Sequence, residues 1–350
     1  MIEAHVFDAW VRPADRTTLV FGWLRILAGF AAPLFLFLAG VSVALACAAR
    51  VRATADATAA SRTVQRRGWQ IFVYAFLFRA QAYMLNPKAI PAQLLRVDIL
   101  NIMGPAIVVT AWMWKWAKTN RGRFIIFATA ALATSLSSAW VRQTMLLAWM
   151  PDAVLNYFRP LPGRDTFNFF PWAAFVFAGG AIGVLIEATR QASDRWLHAG
   201  FAAAGAALAV GAYAASSLPS PIPGTQFWTT SPAFFLLRLG ILIAVVGIGY
   251  FYQALSPLTA VGRTRPMQRF GRSSLFVYWI HVELVYGAAT YRMHHTLSVG
   301  DTAIGFVLFA LAMYALVLLK DWWKARYWRG RPGWRGFFGK GRTRDAAAAA

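Results

Sequence analysis

Residues 23–49 read WLRILAGFAAPLFLFLAGVSVALACAA, and this run decides the fold. A bilayer span needs about 20 mostly apolar residues, each rising about 1.5 Å along a helix. The stretch meets that length with one charge, Arg25, near its start. Directly after it comes RVRATADATAASRTVQRR (residues 50–67), with five arginines against one aspartate. Loops of that composition stay on the cytoplasmic side. The first run therefore sets an orientation: residues 1–22 outside, the Arg-rich loop inside.

Working outward, further apolar runs fall at 69–86, 98–116, 124–141, 169–188, 197–217, 234–252, 273–290 and 302–320. The expected fold is all-α, a polytopic integral membrane helical bundle with about nine visible transmembrane helices. The alternation of loops supports the orientation: 24 Lys and Arg fall on the inner side and 8 on the outer, with Arg25, Arg79 and Arg238 inside runs. We expect residues 1–320 to form one transmembrane domain and 321–350 a basic cytoplasmic tail. The expected location is the cell inner (plasma) membrane, with membrane lipid as a partner.

Composition agrees. The 350 residues are 59% hydrophobic and only 14% charged, with mean hydropathy +0.49, too apolar for a soluble domain of roughly 25% charge. The net charge of +22 does not indicate nucleic acid, because the basic residues sit in short loops between apolar runs and not on one soluble face. The single cysteine, Cys47, excludes a disulfide framework and a cysteine metal site, and no metal is expected. No phosphate loop, nucleophile elbow or zinc-binding helix motif appears, which argues against hydrolases and nucleotide-driven pumps.

Ionisable groups within a bilayer cost several kcal/mol unless paired or wetted, so each is a functional candidate. Arg25, Arg79, Asp98 and Arg238 all fall in the outer half of the expected bundle, and we expect them, with Glu283, to line a polar substrate pocket open to the outside. Snorkelling alone would explain Arg25 and Arg238 equally well. Arg79 lies deeper, and Asp98 across a short loop is its expected partner. Two histidines stand out. His281 sits mid-span in GRSSLFVYWIHVELVYG, with Glu283 nearly opposite it on a helix. His5 is followed at i+3 by Asp8, which a helix places on the same face. A carboxylate that orients a histidine and raises its basicity is the arrangement of a general base. A hydrogen bond between helices would also account for His281. Gly179 and Gly183 in FVFAGGAIG have the spacing that lets two helices approach closely.

Several segments together resemble the bacterial relatives of heparan-alpha-glucosaminide N-acetyltransferase, within the wider multi-span membrane acyltransferases. They are APLFLFLAGVSVALA with the following RRGW, then RVDILNIMGPA, FFPWAAFVFAGGAIG and FGRSSLFVYWIHVELV, in that order along most of the chain. The resemblance implies transfer of an acetyl or other acyl group from cytoplasmic acetyl-CoA, or another acyl-CoA, to a sugar or glycan acceptor on the far side of the membrane. It implies a catalytic histidine on the outer side near the end of the first family helix, a region occupied here by IEAHVFDAW, so His5 takes that role. His281 matches the late GRxSLxxYxxH pattern. Animal members place their histidine further along, where this chain has Arg16 or its neighbours. The family also begins with a complete first helix, whereas this chain starts inside it. Residues 1–22 thus read as the end of a truncated helix, whose completion brings the spans to about ten. The expected catalytic set is His5, Asp8 and His281. Two other readings remain open: a transporter or flippase of an anionic or lipid-linked substrate, and a non-catalytic scaffold. Assembly with copies of itself is open as well.

Overall fold

The structure is a computed structural model. It describes the chain apart from residues 86–89, 162–166, 191–193, 220–221, 223–224, 226, 228–229, 256–265 and 328–350, and apart from the side chains of residues 92 and 253–255. Lys88, Arg164, Arg263, Arg265 and the tail beyond Tyr327 lie outside the described residues.

The described chain is helical, from α1 (Ile2–Trp10), α2 (Leu19–Ala28), α3 (Ala31–Thr54) and α4 (Ala57–Leu85) through α5 (Ile99–Trp114), α6 (Asn120–Leu136) and α7 (Ser138–Gln143). It continues with α8 (Asp152–Leu155), α9 (Phe169–Ala188), α10 (Asp194–Ala215), α11 (Pro232–Leu255), α12 (Pro266–Arg272), α13 (Ser274–Tyr286) and α14 (Val299–Tyr327). Among the described residues, seven of the nine expected spans are long and apolar enough to cross a membrane, so the chain is a multi-pass membrane protein.

The other two expected spans differ for identifiable reasons. The run 69–86 belongs to α4, whose apolar part is interrupted by Gln70, Arg79 and Gln81. The run 273–290 forms α13, with only 13 residues, or about 20 Å against a hydrocarbon core of about 30 Å. The opening stretch is one candidate span divided into two helices by a turn at Gly29 and Phe30, where Phe30 N–H bonds Leu27 O at 3.0 Å and α3 starts at Ala31. Pro33 explains the position of the restart. Its missing N–H and its ring are tolerated in a first helical turn but not in an interior.

The centre of the bundle is α3 against α9, flanked by α4, α5 and α6. Without a hydrophobic force between helices in lipid, close backbone approach supplies the packing. A Cβ at Gly179 would lie 1.9 Å from the carbonyl oxygen of Phe37, and one at Gly40 1.9 Å from that of Val176, so both positions require glycine. Helices α10 and α11 form a closely packed pair beside this centre. The first helix, α1, packs instead on α13 and α14. Backbone bonds hold it there: Arg12 N–H to Leu297 O (2.9 Å), Leu297 N–H to Trp10 O (3.0 Å) and His295 N–H to Ala9 O (2.9 Å). Asp15 Oδ2 accepts from Val299 N–H at 3.1 Å, which caps the start of α14 and ties the N-terminal segment to it.

Candidate functional site

The packing of α1 on α13 brings His5 and His281 together, with ring centroids 5.2 Å apart. His281 is fully buried. Its Nδ1–H donates to Val277 O at 2.6 Å, since a carbonyl can only accept. That leaves Nε2 as a buried lone pair with no partner. His5 lies on α1, which precedes the first long span, and its ring is partly buried. Burial lowers its pKa below the ordinary imidazole value, which keeps the ring neutral near pH 7.

Among the described residues Asp8 makes no hydrogen bond or ion pair with His5. Its Oδ2 accepts from the Tyr286 hydroxyl at 2.7 Å, and that same hydroxyl lies 3.1 Å from His5 Nδ1. The expected i+3 pairing is therefore corrected to a bridged one. The end of α13 inserts a phenol between two side chains that share a face of α1. Arg16 reinforces the assembly by donating to Val11 O at 3.2 Å and to His295 Nδ1 at 2.9 Å.

Helix α13 also meets α4. Trp279 Nε1–H donates to Gln81 Oε1 at 2.9 Å, and Tyr278 lies 5.8 Å from Phe78 and 5.9 Å from His281, centroid to centroid. One residue beyond Phe78, Arg79 forms an ion pair with Asp98. Asp98 starts α5, where Asn101 Oδ1 accepts its backbone N–H at 2.9 Å, and Asn101 in turn donates to the Tyr157 hydroxyl at 3.2 Å. The pair leaves Arg79 Nε and Asp98 Oδ2 buried and unbonded. Glu283 lies close enough to feel the charge of Arg79, makes no hydrogen bond to His281, and keeps a buried, unbonded Oε1.

The candidate residues thus gather along α13: His5 and Asp8 both bond Tyr286, His281 lies beside His5, and the Arg79–Asp98 pair lies within electrostatic range of Tyr278 and Arg79 within that of Glu283. Arg25 and Arg238 make no hydrogen bond or ion pair with them among the described residues. Arg25 is exposed on α2. Arg238 lies over the Phe234 ring at 4.0 Å and beside Gly29, at the break between α2 and α3. The cavity of about 170 Å³ between α6, α9 and α11 is apolar, lined by Phe124, Ala131, Ile182 and Phe235 among others, and it includes none of these ionisable groups. Among the described residues, no cluster of three or more acidic, histidine or cysteine side chains is arranged to hold a metal.

Tyr286 is the residue that sequence reasoning did not single out. It is five positions from His281 and on a different helix from His5, so no spacing along the chain marks it. The remaining histidines, His198, His294 and His295, are engaged away from the His5–His281 pair. His198 stacks on Tyr250 at 4.2 Å, and His294 Nε2 lies 2.8 Å from Val285 O.

A search of curated proteins returns no matching relative. A family profile described as heparan-alpha-glucosaminide N-acetyltransferase, catalytic, matches residues 7–219, a range that includes Asp8, Arg25, Arg79 and Asp98 but neither His5 nor His281. That match covers more than half of the 350 residues, and the chain belongs to the heparan-alpha-glucosaminide N-acetyltransferase catalytic family.

Proposed function

We propose that this protein is a membrane acyltransferase that moves an acetyl or other acyl group from cytoplasmic acyl-CoA to a sugar or glycan acceptor on the outer face. Residues 1–320 form the working domain and 321–350 a cytoplasmic tail, in the cell inner membrane with residues 1–22 outside. Family membership supports the transferase class, and the excess of Lys and Arg on one set of loops supports the orientation.

The observation that carries the reading is the meeting of His5 and His281, from opposite ends of the chain. In the proposed reaction His5 takes the proton from the acceptor amine or hydroxyl as its nitrogen or oxygen attacks the acyl thioester carbonyl. The C–S bond then breaks, and the CoA thiolate leaves and recovers the proton from His5. Arg79, with Nε still unbonded, is the cation best suited to offset the oxyanion of the tetrahedral intermediate. The basic end of α3, with Arg50, and the basic start of α4, with Arg62, Arg66 and Arg67, suit the phosphates of CoA.

The test is His5→Ala in membranes supplied with labelled acetyl-CoA. Transfer to lipid or glycan should fall by at least the roughly hundredfold that a general base contributes, and undiminished transfer removes His5 from the mechanism. The flippase reading keeps one observation in its favour. Arg25 and Arg238 have no acidic partner among the described residues, as an anionic passenger would require. Movement of an anionic glycolipid across proteoliposomes without acyl-CoA would select that reading.

A further inference from the structure

We propose that Tyr286 is a positioning residue that fixes the tautomer of His5, so that Nε2 is the nitrogen that performs the chemistry; this rests on the role of His5 proposed above. The Tyr286 hydroxyl has one hydrogen and two polar neighbours. It gives the hydrogen to Asp8 Oδ2 at 2.7 Å, because a carboxylate only accepts. Its remaining bond, 3.1 Å to His5 Nδ1, then needs a hydrogen from the ring. Nδ1 is therefore the protonated nitrogen and Nε2 the bare one. Among the described residues Nε2 carries no hydrogen bond, so it stands free to accept a proton.

The consequence extends to the charged state. As His5 gains a proton at Nε2, positive charge spreads to Nδ1, and the phenol relays the Asp8 carboxylate to it. Direct contact between carboxylate and imidazole is unnecessary. The rest of the fold holds the three groups in place. Arg16 and the backbone bonds from residues 9–12 to 295–297 anchor the end of α1 beside α13. His281 needs no such relay, because its Nδ1–H is already bound to Val277 O within its own helix.

The Tyr286 ring also packs edge-on against His5, with centroids 5.6 Å apart and an interplanar angle of 79°. Tyr286→Phe keeps that ring and deletes only the hydroxyl, so it separates relay from packing. The purified full chain in detergent, given acetyl-CoA and an amino-sugar acceptor, should show a fall in kcat of about tenfold, with KM for both substrates and the thermal unfolding midpoint unchanged. Asp8→Asn should give a similar loss. Because both substitutions interrupt one relay, the double variant should be no slower than the slower single variant. Wild-type kcat in Tyr286→Phe, in a preparation where His5→Ala abolishes transfer, overturns the proposal. Multiplying losses in the double variant overturn it too, since they mean independent roles. Full transfer by His5→Ala instead overturns the reading beneath it, so the two failures are distinguishable.

Discussion

The close approach of α3 and α9 gives the sharpest test of the fold. In Gly179→Ala the added Cβ would lie 1.9 Å from Phe37 O, about 1.1 Å inside the 3.0 Å limit of real Cβ contacts, and that oxygen is backbone. No side-chain end can swing away, so the helices must separate by more than 1 Å along the seam that also contains Gly40 and Gly183. Overpacking of this kind costs up to about 3 kcal/mol. Alanine recovers about 1 kcal/mol through its better helix propensity. The net loss is about 2 kcal/mol, roughly a thirtyfold fall in the ratio of folded to unfolded protein. Gly200 on α10 provides the control, since a Cβ there meets nothing within 4 Å. Gly200→Ala should therefore be neutral or stabilising by up to about 1 kcal/mol. Equilibrium unfolding of both variants in mixed micelles measures the difference. If Gly179→Ala is as stable as Gly200→Ala, the packing of α3 against α9 described here is wrong.

Other tests address the charges and the orientation. Removing one member of the Arg79–Asp98 pair leaves a poorly compensated charge, so Asp98→Ala should destabilise by about 3 kcal/mol or more. Arg79→Met with Asp98→Leu should cost less than either single change, and additive losses in a double-mutant cycle would show that the two are not coupled. Because burial lowers the His5 pKa, the neutral ring persists as pH falls below the free value of about 6.5. The acid limb of kcat/KM should accordingly lie below pH 6.5, and a limb above it would contradict a buried neutral base. In a Cys47→Ala background, an impermeant maleimide applied to intact cells should label Tyr291→Cys and leave Ala55→Cys unlabelled; the reverse pattern inverts the topology.

Much of the architecture follows from local rules. Seven of the apolar runs became long helices because a backbone in lipid must satisfy its own hydrogen bonds, and a run of about 20 apolar residues can do so only as a helix. Gly179 and Gly183 signalled a tight crossing because only small residues permit one. The partner of Arg79 was legible because a short connection leaves few acids in reach of a buried cation. The break at Gly29 and Phe30 was less visible, since the run remains apolar across it and only Pro33 hints at the restart.

The site itself depends on tertiary structure. Helical periodicity shows that His5 and Asp8 share a face of α1, but not that α13 slides Tyr286 between them. Nor does it show that α1 meets α13 while Arg25 and Arg238 stay at the α2–α3 break. The sequence alone determined most of the helices and pointed to His5, Asp8 and His281, though not to Tyr286. Which helices became neighbours was decided only in the folded bundle. A face that contacts lipid and a face that contacts another helix are equally apolar, and the difference lies in shape complementarity that residue types do not encode.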